Sequence, residues 1–178
     1  NRWNKAWGVD EEVLTSFLRF NLDTELWGKP LKGNIGTQLV RTEQTSSGFL
    51  ASDYNPNNPA TLVQVSEGAS YTDVLPAVNF SMEVLDDQFL RLSAGKTMAR
   101  PRMDEMRASI TAGVNVDSRR WSGSSGNPQL EPWRAKALDL TYEAYLDGSS
   151  YIALGAFYKK LDSYIYTQNF DFDFSNAP

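Results

Sequence analysis

Residues 71–101 read YTDVLPAVNFSMEVLDDQFLRLSAGKTMARP, and this stretch decides the fold. Across 71–84 the even positions are almost wholly apolar, whereas the odd positions are mixed and polar. A period of two is typical of a strand whose two faces meet different surroundings. A short polar break, DDQ at 86–88, separates this strand from a second alternating run at 89–98. Two long strands that share an apolar face and are joined by a tight turn predict a β-hairpin.

The same alternation extends outward from the hairpin in both directions and predicts four more strands. Their bounds are about 13–26, 31–42, 134–146 and 151–166. The first of these also fits a helix, because Val13, Phe17 and Phe20 fall on one helical face, but strict alternation over the whole stretch favours the strand. The chain is therefore predicted to be all-β, with about six strands in an antiparallel up-and-down meander.

The connections between these strands alternate between short and long. Short turns fall near Gly28, Asp87 and Gly148, and longer polar stretches separate the hairpins. In an up-and-down sheet this order places the short turns at one end and the long loops at the other, as in outer-membrane barrels. A soluble sandwich does not sort its loops in this way, and its strands are usually about five to six residues long. The spacing therefore favours a large transmembrane β-barrel.

Two of the long connections carry predictions of their own. Residues 42–70 are rich in Ser, Thr, Asn, Pro and Gly and are predicted to be a loop with a small hairpin near 61–65. After the central hairpin, Pro101 at a first helical position and two acids in the first turn predict a short helix that stops at Gly113. Residues 113–132 are predicted to be loop.

Composition narrows the functional classes. The 178-residue chain is 41% hydrophobic and 12% aromatic, and its net charge of −5 argues against a nucleic-acid partner. It contains no Cys and no His, which removes disulfides, thiolate chemistry and the commonest general base and metal ligand. No stretch is long and apolar enough for a membrane helix, which leaves a membrane barrel open. The chain begins in mid-pattern, as expected of a segment of a longer protein.

No group of residues in the sequence has the pattern of a catalytic or cofactor site. Asp86 and Asp87 sit in a turn, and adjacent strand residues point to opposite faces. The stretch SGSSG at 122–126 lacks the Lys of a phosphate-binding loop. Asp171 and Asp173 alone are weak evidence for calcium. The chain is therefore predicted not to be an enzyme and to hold no cofactor and no metal.

Several stretches, taken together and in this order, resemble the C-terminal β-barrel of TonB-dependent outer-membrane receptors. They are LKGNIGT at 31–37 with RTE at 41–43, YTDVLP at 71–76, LRLS at 90–93 running to ARP at 99–101, GNPQLEP at 126–132, YE at 142–143 and FYKK at 157–160. The resemblance covers about 13–166 and implies part of a 22-stranded barrel, with the plug domain and the segment that contacts TonB outside this chain. It implies a place in the cell outer membrane, contact with its lipid, and TonB-driven uptake of a scarce nutrient (an oligosaccharide, an iron chelate or a cobalamin). Details of the match favour the receptors linked to carbohydrate uptake.

The resemblance also suggests site residues. The apolar faces would meet lipid, and polar and charged residues of the opposite faces would line the lumen, either as ligand contacts or simply as wall lining. These are Arg19, Asp23, Glu25, Gln38, Arg91, Asp139 and Glu143. Extracellular loops grip the ligand in this family. The ligand-binding candidates are Trp3, Trp7, Tyr54, Arg91, Arg119, Arg120, Trp121, Trp133 and Tyr166.

Two alternatives stay open at this stage. Trp rings stack on sugars, but Trp27, Trp133 and Tyr145 also fit the aromatic girdle at a membrane interface. The whole chain could instead be an independently folded soluble β-domain that binds a glycan or a protein through Trp-rich loops.

Overall fold

The computed structural model describes residues 6–52, 61–115, 120–146, 150–169 and 171, and within them the chain is all-β with no helix. The strands are β1 Trp7–Leu26, β2 Lys29–Ser52, β3 Thr61–Leu85, β4 Gln88–Ala99, β5 Ile110–Asn115, β6 Arg120–Ser125, β7 Trp133–Tyr145 and β8 Tyr151–Leu161. Six of them form one sheet in the order β1-β2-β3-β4-β7-β8, and β5 and β6 form a separate pair. All pairings are antiparallel. The predicted antiparallel meander is confirmed, and the 22-strand barrel stays a prediction.

The strand register sorts the side chains into two faces. One face, called here the apolar face, carries the even residues of β1, β3, β4, β7 and β8 and the odd residues of β2, since these are register partners. Arg134 at the start of β7 is an exception, because its guanidinium bonds Asp73 of the opposite face. A single row across the sheet on this face reads Leu22, Gly33, Phe80, Leu92, Leu140 and Ala156. Phe20 on the same face is 65% exposed, so the described chain leaves these side chains uncovered. The opposite set of residues forms the polar face.

Short turns lie together at one end of the sheet. Trp27 and Gly28 both have positive φ, as expected for the two-residue turn that best fits the twist of a hairpin. Asp87 has φ 58° in the β3–β4 turn, next to an irregular register between Glu83 and Leu85. The turn predicted near Gly148 falls outside the described residues, but Leu146 N donates to Ser150 O at 2.9 Å beside it.

The strands that meet the longest connections extend further than predicted. β2 continues to Ser52 and β3 starts at Thr61, so the prediction of a loop over 42–70 with a hairpin near 61–65 was wrong. Backbone pairing does not depend on side-chain polarity, and Thr42 through Ser52 pair with β3 residue by residue. β1 likewise begins at Trp7, whereas the last predicted strand stops at Leu161. Asp162 N still donates to Arg134 O, but Arg134 N donates to Ser163 Oγ rather than back to the backbone of β8, and regular pairing ends there.

The helix predicted after Pro101 is a turn. Glu105 N donates to Arg102 O and Met106 N to Met103 O, at 3.0 and 3.2 Å, and the helical pattern ends there. The chain then contacts β2, where Ala108 N donates to Ser46 Oγ at 2.9 Å. Residues 110–125, expected as helix end and loop, contain the β5–β6 pair. No helix in the described part of the chain could span a membrane.

Candidate functional site

Near the short turns, the polar face is a set of side chains bonded across neighbouring strands. One row reads Asn21, Asn34, Asn79, Ser93 and Asp139, and the next reads Asp23, Lys32, Ser81, Arg91 and Thr141. Asn79 Nδ2 donates to Asn34 Oδ1 at 3.2 Å, and Ser93 Oγ donates to Asn79 Oδ1 at 2.8 Å. We call these two rows the open wall, because most of their side chains remain in contact with solvent.

Arg91 is the ligand-binding candidate that lies within the open wall. Its Nε donates to Glu143 Oε2 at 3.1 Å and its Nη1 to Ser81 Oγ at 3.2 Å. Tyr145 OH donates to the same Glu143 oxygen at 3.0 Å. The guanidinium is thus bonded on two sides by side chains of neighbouring strands. Because Tyr145 packs with Phe89 and Tyr151 on the polar face, the lipid-facing girdle does not account for Tyr145.

Further from the turns, the polar face is covered by the connection between β4 and β7. This connection, residues 100–132, is called the strap. Alternate residues of β2 are buried beneath it, namely Val40, Thr42, Gln44, Ser46 and Gly48, and with Tyr71 and Asp73 they form the covered patch. The buried hydrophobic residues of the described chain, Val40, Tyr71, Met106 and Ala135, all belong to the patch, the strap or the adjoining start of β7. The sheet therefore has its only interior under the strap, as far as the described residues show.

Directed hydrogen bonds hold the strap to the patch. Gln44 Nε2 donates to Pro128 O at 3.1 Å and to Leu130 O at 2.8 Å. A Cβ on Gly48 would lie 3.0 Å from Ser109 N, so the strap backbone approaches β2 at a distance that favours glycine. At the edge of the patch, Arg100 Nη1 lies 2.7 Å from Glu11 Oε2.

A bidentate ion pair closes the other side of the covered patch. Arg134 Nε donates to Asp73 Oδ1 at 2.6 Å and Nη2 to Oδ2 at 3.0 Å, while Nη1 donates to Glu131 Oε2 at 2.7 Å. The Asp73 side chain is 3% exposed, and the guanidinium lies 5.9 Å from the Tyr71 ring centroid. The hydrogen bonds to Asp73 raise the pKa of Arg134 above its ordinary value. The Asp73 carboxylate is thus buried with both of its oxygens bonded to a half-buried guanidinium.

Several buried polar atoms at the strap contact have no hydrogen-bond partner among the residues that the structure describes. They are Glu11 Oε1, Gln44 Oε1, Arg107 Nε and Ser109 Oγ, while Thr42 Oγ1 and Tyr71 OH interact with each other alone. Burial raises the pKa of Tyr71 and keeps its phenol neutral. Hydroxyl, phenol and amide groups of this kind can bond a polyhydroxylated ligand, and leaving them unbonded weakens the closed arrangement.

The structure does not gather the ligand-binding candidates predicted from the sequence into one group. Trp3, Tyr54 and Arg119 lie outside the described residues, and Arg120 and Trp121 begin β6, where only the backbone is described. Trp7 and Trp133 begin β1 and β7, and Tyr166 follows β8, so these three lie at the strap end of the sheet. The Trp133 ring lies 4.9 Å from that of Tyr164.

Sequence reasoning missed the residues that organise the strap contact. Asp73 and Arg134 are separated by 61 positions, and neither stands out locally. One signal was available in the sequence. Asp73 is the neighbour of Tyr71 on the polar face of its strand, and the residues around this Asp carry no charge. In the described residues no group of three or more His, Cys, Asp or Glu is arranged to hold a metal ion.

Comparison with known proteins adds one finding. A family model described as "TonB dependent receptor-like, beta-barrel" matches residues 4–178, nearly the whole chain. No curated protein and no solved structure matches the chain.

Proposed function

The chain belongs to the TonB-dependent receptor β-barrel family, and from this premise we propose that its covered patch and strap form part of the extracellular mouth through which a scarce nutrient is taken up. The family is one of transporters and receptors of the Gram-negative outer membrane rather than of enzymes. The observation that carries the proposal is the arrangement of one sheet with two different faces. An uncovered apolar face suits lipid, and a polar face suits the lumen of a barrel.

The proposed direction of the chain in the membrane follows from its connections. The short turns at 27–28 and 86–87 suit the periplasmic side, and the strap suits the extracellular side. Energy delivered through TonB would act on a plug domain outside this chain. The barrel wall then has two tasks: the open wall packs against the plug, and the strap end meets the ligand.

An oligosaccharide is the ligand class that the strap end supports best. Three aromatic residues, Trp7, Trp133 and Tyr166, lie at that end, and aromatic faces stack on sugar rings. Among the described residues, the unbonded groups under the strap include the hydroxyl of Ser109 and the amide oxygen of Gln44, which match sugar hydroxyls. Iron chelates and cobalamin are the competing classes.

An uptake experiment tests the function and the ligand class together. The full-length receptor is expressed in cells with and without functional TonB, and accumulation of labelled oligosaccharides, iron chelates and cobalamin is measured. We expect oligosaccharide accumulation that needs both the receptor and TonB. Receptor-dependent accumulation of another class would overturn the ligand assignment. If the receptor changes the accumulation of none of the three classes, the proposed function is wrong.

The role of the strap can be tested by fixing it in place. The chain has no Cys, so Ser46→Cys with Ala108→Cys introduces a pair where strap and β2 touch. We expect the oxidised double variant to lose uptake and a reductant to restore it. The two single variants are the controls, because neither can form the crosslink within the chain. Full uptake by the crosslinked receptor would show that the strap has no part in ligand entry.

A further inference from the structure

Three lysines form a row on the apolar face of the sheet. Lys96 of β4 is the register partner of Lys136 of β7, and Lys136 is the register partner of Lys160 of β8. As even residues of these strands they share the face of Ala94, Leu138 and Tyr158, which form the adjoining row on the side of the short turns. The lysine row therefore borders the apolar residues at the end of the sheet where the strap lies.

The row carries more positive charge than the described residues neutralise. Side chains directly opposite on antiparallel strands have Cβ atoms about 4.5–5.5 Å apart, and like charges in that position destabilise the sheet. Lys136 Nζ lies 3.5 Å from Asp162 Oδ2, in a pair whose lysine is exposed and whose carboxylate is half-buried. Within the described part of the chain, Lys96 and Lys160 form no ion pair. A row that repels itself in isolation calls for an anion from outside the sheet.

Its position in the membrane determines which anion is available. In the orientation proposed above, on which this inference rests, the apolar face meets lipid and the strap end is extracellular. The row then lies at the border between the acyl chains and the headgroups of the outer leaflet. A lysine at such a border lays its methylene stem along the apolar surface and extends its ammonium to headgroup level. The groups of opposite charge at that depth are lipid phosphates.

We infer that Lys96, Lys136 and Lys160 bind the phosphate of an outer-leaflet lipid headgroup. Three ammonium groups from neighbouring strands can converge on one phosphate, whose oxygens accept a charge-assisted hydrogen bond from each. The bound phosphate removes the repulsion within the row, so lipid binding and local strand pairing support each other. This lipid site is separate from the strap and does not depend on which nutrient the receptor imports.

The sequence provides a matched control for this site. Lys159 precedes Lys160 on β8 but belongs to the polar face, where its register partner is Ala137. Lys159→Gln thus makes the same chemical change one residue away, on the face that does not meet lipid. The test variant carries Lys96→Gln, Lys136→Gln and Lys160→Gln together.

The experiment titrates the detergent-solubilised full-length receptor with a bisphosphorylated glycolipid and follows its thermal unfolding. At about 1 kcal/mol per lysine, or roughly fivefold each, the triple variant is expected to bind about 100-fold more weakly. Lys159→Gln should bind like the wild type, and the same glycolipid without phosphates should bind the wild type as weakly as the triple variant. In detergent alone, the triple variant should unfold no lower than the wild type, because like charges have been removed.

Three results would overturn the inference. The first is wild-type glycolipid affinity in the triple variant. The second is an equal loss in Lys159→Gln, which would indicate a general charge effect. The third is an equal shift of the unfolding midpoint by inorganic phosphate, which would indicate a free-anion site rather than a lipid site. If the triple variant fails to insert, Lys96→Gln alone, at a position with no ion pair, gives the same test with about a fivefold expected change.

Discussion

On the open wall, polar side chains bond to neighbours on adjacent strands and keep their contact with solvent, whereas on the covered patch they are buried against the strap. Arg91 and Arg134 illustrate the difference. Each binds a carboxylate of the sheet, but the Arg91–Glu143 pair is partly exposed and the Arg134–Asp73 pair is buried and bidentate. Substitutions in the open wall should therefore cost little stability, whereas substitutions in the covered patch should cost more. Matched substitutions in the open wall and in the covered patch test this difference through the free energy of unfolding.

The largest effect is expected at the buried ion pair. Arg134→Ala leaves the Asp73 carboxylate buried without its cation, and removing one partner of such a pair typically costs about 3–5 kcal/mol of unfolding free energy. The matched change in the open wall, Arg91→Ala, removes a partly exposed pair and should cost about 1 kcal/mol or less. Urea unfolding of the receptor in detergent measures both values. Equal losses would mean that the strap does not bury the pair in solution.

A pair of glycines gives the next comparison. Gly48→Ala places a Cβ 3.0 Å from Ser109 N, so the strap must shift. We expect this to lower the free energy of unfolding by about 1–3 kcal/mol. Gly155→Ala, outside the patch, places its Cβ 4.0 Å from the nearest neighbour, Thr141 Oγ1, and should be neutral or stabilising by up to about 1 kcal/mol. Unfolding free energies are compared again, with hydrogen exchange in the strap as a second measurement. Unchanged strap protection in Gly48→Ala would contradict the close approach.

The amide of Gln44 tests the hydrogen bonds of the strap alone. Gln44→Ala removes two hydrogen bonds to the carbonyls of Pro128 and Leu130 and should cost about 1–2 kcal/mol, with faster hydrogen exchange confined to the strap. Asn79→Ala is the control, because Asn79 makes its side-chain bonds to Asn34 and Ser93 on the exposed open wall. If both variants lose the same stability, the distinction between the two halves is wrong.

The same division separates what the sequence could predict from what it could not. Alternation identified the strands near the short turns, because there one face is apolar and the other polar over the whole length. It failed beyond Thr42, where the buried face of β2 carries Thr, Gln, Ser and Gly. Residues buried beneath a polar strap are small or form hydrogen bonds to it. Apolar and polar residues therefore do not alternate along this part of β2, and its burial cannot be read from the sequence pattern.

The strap itself shows how local signals and tertiary contacts compete. The first turn predicted after Pro101 does form, and Glu105 Oε2 accepts a hydrogen bond from Arg102 N at 3.1 Å, as in a helix start. The continuation to Ile110 does not, because Ala108 N bonds Ser46 of β2 instead. Contacts such as Gln44 with Leu130 or Asp73 with Arg134 join positions far apart in sequence, and no local pattern contains them.

The smallest expected effect concerns the phenol of Tyr71. Burial raises its pKa, and this outweighs the opposite effect of the neighbouring Thr42 hydroxyl. Above the ordinary tyrosine pKa of 10.0 the unfolded chain loses this proton while the folded chain keeps it, so stability falls as pH rises from there through the folded pKa. Tyr71→Phe should remove that part of the pH dependence and cost little at neutral pH. An unaltered slope in Tyr71→Phe would mean that the phenol titrates as in solvent and that the strap opens freely over the patch.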